Sequence, residues 1–139
     1  MKYLFSILTA LLMCTALFAQ KDVTSFTRKT NAVMVYKNGD WEDKAEGHNT
    51  FVINCNDDGD ILWLTARGQA QYFKRTNNAK SEKTKQGIKY QSVATKDSKG
   101  FRVTVWLMDD PDQGVIIIYP GEDLFMIHFF NDDSYEDNE

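Results

Sequence analysis

Histidine, proline and cysteine are scarce in this chain, with two of each among 139 residues. Each shortage excludes something. Cys14 lies in the apolar N-terminal stretch, so Cys55 is the one thiol left in the body and no intramolecular disulfide can form. Stability must then come from packing. Cys55 alternates with Phe51 and Ile53 in an apparent strand, which predicts a buried, small apolar residue. Nothing around it would lower its pKa, as a redox thiol requires. His48 and His128, with Cys55, are too few and too scattered for a zinc centre, so no metal and no cofactor are expected. The chain has no G-x-S-x-G elbow, H-E-x-x-H pair, phosphate loop or paired-glycine dinucleotide fingerprint. Its carboxylates fall mostly in turns and in the C-terminal tail, not in the positioned pairs that glycoside cleavage uses. An enzyme is therefore the reading that the sequence supports least. A basic surface is missing too: 16 Lys and Arg face 20 Asp and Glu, for a net charge of −4. Nucleic acid is not an expected partner.

Long apolar runs are absent except at the start, MKYLFSILTALLMCTALFAQ, where Lys2 precedes a nearly unbroken apolar stretch and Ala19 offers a small-residue cleavage point. This is the layout of a secretory leader over residues 1–19, and it predicts a secreted or periplasmic protein. A membrane-spanning helix needs about 20 apolar residues, more than are present, so no stable membrane span is expected once the leader is removed. Lipidation at Cys14 is disfavoured by the bulky Met13 before it and the apolar TALFA after it. The remaining residues, about 120, suffice for one domain (20–131) burying around two-thirds of its unfolded surface. The body is close to neutral, because five acids sit in the tail NDDSYEDNE, whose last eight residues (132–139) are expected to be disordered.

What the body does have is turns. Asn38-Gly39 is a favoured hairpin pair. Asp57-Asp58-Gly59, Asp97-Ser98-Lys99-Gly100 and Asp110-Pro111-Asp112-Gln113-Gly114 mark further turns, and Pro120-Gly121 suits a type II turn with glycine at positive φ. Between them run segments rich in β-branched and aromatic residues: 32–37, 50–55, 61–66, 69–75, 88–96, 101–108, 115–119 and 124–130. Their lengths and spacing predict an antiparallel β-meander of about eight strands. Residues 74–87, KRTNNAKSEKTKQG, hold only Ala79 as an apolar residue and read as a long polar loop. The excess of Lys and Arg over residues 74–89 reads as a solvated face, with an anionic partner or the acidic tail as the alternative.

The stretch INCNDDGDILWL fits the first half of a calcium loop, with Asn54, Asn56, Asp58 and Gly59 at the expected intervals. The bidentate acid of the twelfth position is missing, however, since Thr65 stands there. The segment is better explained as a hairpin turn, with Asp and Asn capping it and Gly59 at positive φ.

Alternation places Phe101, Val103, Val105 and Leu107 on one face and Arg102 and Thr104 on the other, while Trp106 and Met108 break the polar side. In residues 88–96, Ile88, Tyr90, Ser92 and Ala94 oppose Lys89, Gln91 and Thr95. The runs VIIIY and LFMIHFF are apolar on both faces and need cover on both sides. The expectation is an all-β domain, either a barrel or a two-layer sandwich. In layout, residues 32–130 resemble small calycin-like meanders curled around an apolar interior. That resemblance implies a barrel fold and carries over no functional residue. A non-catalytic binding module for a small apolar ligand follows as the expected function, with Trp63, Tyr90, Trp106, Tyr119, Met126 and His128 as candidate lining residues and His128 as polar anchor. The alternative is a protein-interaction module, of homodimer or inhibitor type, using the apolar C-terminal strands.

Overall fold

A computed structural model describes residues 24–131. The leader expected over residues 1–19, Cys14 and the acidic tail expected over 132–139 lie outside the described residues. Ten strands form one antiparallel sheet: β1 (Phe26–Lys37), β2 (Asp40–Trp41), β3 (Ala45–Ile53), β4 (Ile61–Leu64), β5 (Ala70–Arg75), β6 (Lys80–Lys83), β7 (Lys89–Lys96), β8 (Arg102–Met108), β9 (Val115–Tyr119) and β10 (Leu124–Phe129). A 3-10 turn, Pro111–Gln113, joins β8 to β9.

Eight strands, in the order β1-β3-β4-β5-β7-β8-β9-β10, close into a barrel when β10 pairs back onto β1, with Ala32 opposite Phe129 and Lys37 opposite Leu124. Closure satisfies both sheet edges, which otherwise invite aggregation. It also decides between the two expected architectures, since a sandwich would leave two separate sheets. The short β2 and β6 flank the wall, on β1 and β7 respectively. Strand β1 bends at a bulge between Thr30 and Ala32, where its register against β3 shifts.

The turn chemistry accounts for the connections. Asn38 and Gly39 both take positive φ, 53° and 89°, as their hairpin requires. Gly59 is favoured by its φ of 77°, and an added Cβ would also displace the Arg75 guanidinium, 2.9 Å away. Gly114, at φ 78°, passes so close to the His128 backbone carbonyl that no side chain fits there.

Several expectations need correction. Gly121 does not supply the positive φ of the β9–β10 turn. Asp123 does, at 48°, after a tight turn in which the Glu122 N–H donates to the Tyr119 carbonyl. Residues 74–87 are not all loop, because Lys80–Lys83 forms β6 against Lys89–Ser92 of β7. All four β6 residues are exposed, so no apolar pattern marked them. Cys55 lies just beyond β3 and is half-buried, not a core residue. In β7 the face is opposite to the one its aromatic residue suggests: Val93 and Thr95 point inward, whereas Tyr90, Ser92 and Ala94 point out beside Met108, Trp106 and Thr104.

The interior is filled by Phe51, Ile53, Ile61, Trp63, Phe73, Val93, Val103, Val105, Leu107, Val115 and Ile117. These alternate with outward residues along β3, β4, β5, β7, β8 and β9, so a period-2 pattern in those strands fills the barrel that β1 and β10 close.

Candidate functional site at the open end of the barrel

The two ends of the barrel differ. At one end, β1 and β3 pair Arg28 with Phe51, an inward-facing core residue. From there Arg28 reaches across to β8 and donates from Nη1 to the Met108 carbonyl at 2.6 Å. Burial pulls the Arg28 pKa down, and Asp109 and Asp110 oppose that pull. This charge-assisted contact spans that end of the barrel and floors it.

The other end is open. A cavity of about 630 Å³ lies there, walled by Trp63, Gln71, Tyr119, Leu124 and Met126, with the 97–101 turn at its rim. Its volume is within the roughly 300–1,000 Å³ range of small-molecule sites. Apart from Gln71 in the wall, beside Trp63, the polar groups are on the rim: Asp97, Ser98, Lys99 and Glu122. Asp97 is occupied by the turn itself, accepting from the backbone N–H groups of Lys99 and Phe101 at 3.0 and 2.9 Å. Phe101, at the edge of the mouth, is half exposed (50%).

Trp63 forms the base of the mouth, and its pose is fixed from behind. Its Nε1–H donates to Asn49 Oδ1 at 3.0 Å, and the same oxygen accepts the Ala66 backbone N–H at 3.2 Å. The Asn49 side-chain amide donates in turn to the Gly47 carbonyl. A buried asparagine thus ties β3, the base of the cavity and the 65–69 turn together. Trp63 stacks on Phe51 with ring centroids 5.6 Å apart.

His128 lies one layer deeper. Its ring meets Phe51 and Trp63 edge-on, each at 5.0 Å, and it is 2% exposed. Neither ring nitrogen has a hydrogen-bond partner. Burial pushes its pKa down from 6.5 to about 4, with no charged neighbour contributing. The ring is therefore neutral at physiological pH and serves as part of the interior wall.

The six candidate lining residues thus separate. Trp63, Tyr119 and Met126 meet at the mouth. His128 lies beneath them. Tyr90 and Trp106 are on the outside of the barrel, stacked on each other at 4.3 Å, with the Tyr90 hydroxyl donating to Glu82 of β6. They cannot line the same cavity.

A second cluster closes the β3–β4 connection. Asp60, 2% exposed, accepts from the Asn56 side-chain amide at 2.9 Å, the Arg75 backbone N–H at 2.8 Å and the Tyr72 hydroxyl. Burial alone would raise its pKa; these bonds and Lys74 outweigh burial and hold it below the usual carboxylate range. The hydrogen bond to Asp60 pushes Tyr72 up to about 12. Asn56 Oδ1 also accepts the N–H groups of Asp58 and Asp60. The calcium-like stretch is accordingly a self-bonded turn pinned to β5. Neither Asp60, Asn49 nor Arg28 was marked by the sequence; each stood in a polar or turn-like context, and its burial is set by register.

No family model, curated protein or solved structure matches this chain. The reading of the site therefore rests on its geometry alone. Among the described residues, no three His, Cys, Asp or Glu side chains converge as metal ligands.

On the outer surface, Tyr36, Trp41 and Phe125 form an aromatic trio: Tyr36 stacks on Phe125 at 4.7 Å, and Trp41 meets both edge-on at 5.3 Å. Trp41 is half exposed (50%). The doubly apolar strands β9 and β10 find their second cover here only in part. Ile116, Ile118, Phe125 and Ile127 remain half-buried.

Proposed function

We propose that this chain is an exported, non-catalytic binding module that takes a small apolar molecule into the mouth of its barrel. The observation that supports this best is the asymmetry of the barrel, floored by Arg28 at one end and open over Trp63, Tyr119, Leu124 and Met126 at the other. An apolar guest here would displace water from aromatic and aliphatic surface, which favours binding by about 25 cal/mol per Å² buried. The rim supplies polar contacts for orientation, and Asp97 is already committed to its turn. Export follows from the leader-like residues 1–19.

Anilinonaphthalene sulfonate is a direct probe. Its fluorescence is expected to rise on addition of the folded protein, saturably, with quenching of Trp63 emission. Leu124→Arg, a half-buried mouth position away from the core, is expected to abolish both signals while leaving the circular dichroism unchanged. Saturable binding that Leu124→Arg leaves intact would remove the mouth as the site.

A second reading, a protein-interaction module, draws support from the half-exposed outer faces of β9 and β10 and from Trp41. It predicts a dimer by light scattering that Phe125→Glu dissociates.

A further inference from the structure

The wall of the barrel is incomplete beside the mouth. Strands β5 and β7 are joined by only two residue pairs, Lys74 with Lys96 and Arg75 with Thr95. Beyond Lys96 the chain turns through residues 97–100 into β8, so β5 residues before Lys74 have no strand on that side. On their other side they are fully paired with β4, Ala70 opposite Leu64 through Phe73 opposite Ile61.

The directions of the backbone groups follow from the ladder. The Gln69 carbonyl accepts from the Thr65 N–H, so Gln69 faces β4. In an antiparallel strand these directions alternate residue by residue. Gln71 and Phe73 then bond to β4, while the N–H and C=O groups of Ala70 and Tyr72 point into the gap. Lys74, the next in that series, is the residue that meets β7. Ala70, Gln71 and Tyr72 line the same cavity as Asp97, Ser98, Lys99 and Phe101, which places open space directly along the free edge.

We propose that this edge receives an extended peptide segment of a partner protein, added as an extra strand between β5 and the 97–101 turn. Two outward donor–acceptor residues about 6.8 Å apart match the repeat of an extended backbone. A compact apolar molecule would leave these groups unmet. Side chains of the added strand would alternate between solvent and the mouth, where Trp63, Tyr119 and Met126 await them, so the peptide carries apolar residues at every second position. The described ends of this chain lie at the floored end: the Thr24 carbonyl accepts from Asn54, and the Phe130 N–H donates to Asp112. The inference rests on the mouth being an apolar binding site and goes beyond the small guest to a second, larger occupant of the same site.

The test pans a displayed library of random octapeptides against the folded protein. Enrichment of extended peptides with alternating apolar residues is expected, and their binding should slow hydrogen exchange at the Ala70 and Tyr72 amides, which exchange quickly in the free protein. Ala70→Pro removes an N–H that faces the gap and no internal bond, and edge strands tolerate proline. It is expected to weaken peptide binding roughly tenfold or more, as is N-methylation of alternate peptide amides offered to the wild-type protein. Binding that survives both changes, failure to enrich any peptide, or slow exchange at both amides in the free monomer would overturn the proposal. So would a dimer that Ala70→Pro dissociates, because the edge would then belong to a second copy. Binding of anilinonaphthalene sulfonate separates the two readings: dye without peptide sinks only the strand, and neither sinks the mouth as well.

Discussion

His128 offers a quantitative handle on the interior. Its ring is shut between Phe51 and Trp63 with both nitrogens unpartnered, and burial lowers its pKa from 6.5 to about 4. In the unfolded chain the imidazole keeps its ordinary value. Between pH 6.5 and about 4, therefore, the unfolded state takes up a proton that the fold refuses, and stability falls as pH falls through that window. The depression corresponds to about 3 kcal/mol, all of it lost by about pH 4. His128→Leu removes the titrating group and leaves an apolar side chain of similar bulk. At neutral pH the variant should match or exceed the wild type, since a buried polar group without partners is a burden of about 1–3 kcal/mol. On acidification the gap between them should widen by about 3 kcal/mol. Urea unfolding of both proteins at several pH values from about 7.5 to about 4 measures this, and the difference between the two curves cancels the carboxylates that titrate in the same range. Parallel curves would refute the account, as would a His128 ring proton that titrates near its ordinary value by NMR.

Two further perturbations test the parts that shape the mouth and its neighbouring wall. Asn49→Ala strips the acceptor from both Trp63 Nε1 and the Ala66 N–H, so a loss of about 1–3 kcal/mol and a red shift of Trp63 emission are expected in denaturation followed by fluorescence. Asp60→Asn should let the Tyr72 phenol ionise closer to 10 than to its value of about 12, seen by ultraviolet or carbon NMR titration; an unchanged Tyr72 would mean that the Asp60 carboxylate does not set it.

Much of the wall could be read from residue patterns, and the reasons are local. In β8 the inward set Val103, Val105 and Leu107 is aliphatic and its partners Arg102 and Thr104 are polar, so period 2 alone orients the strand. Asn38-Gly39 and Asp97 through Gly100 demand their turns whatever surrounds them. In β7 the same reasoning chose the wrong face, because Tyr90 outweighs Val93 in apolar bulk. Tyr90 is only 7% exposed although it lies on the outside of the barrel, stacked on Trp106 and bonded to Glu82, so its burial comes from neighbours on β6 and β8 that sequence adjacency does not reveal. Strand β6 was missed for the opposite reason: a strand exposed along its whole length has no alternation to detect, and only its pairing with Lys89–Ser92 defines it.

The candidate site lies at the limit of that legibility. Trp63, Tyr119 and Met126 were recognisable as large apolar residues on strands, but which of the candidates share a cavity depends on how far each strand is shifted against the next. The shift that pairs Lys74 with Lys96 is what leaves Ala70 and Tyr72 without a strand on the side away from β4 and opens the wall beside the mouth. Had β7 continued for four more residues before its turn, the same side chains would line a closed cup with no free edge. A property of this kind belongs to where the turn at residue 97 begins rather than to the apolar residues that wall the cavity. Lengthening β7 by moving that turn should therefore close the gap and slow exchange at the Ala70 and Tyr72 amides while leaving Trp63, Tyr119, Leu124 and Met126 in place.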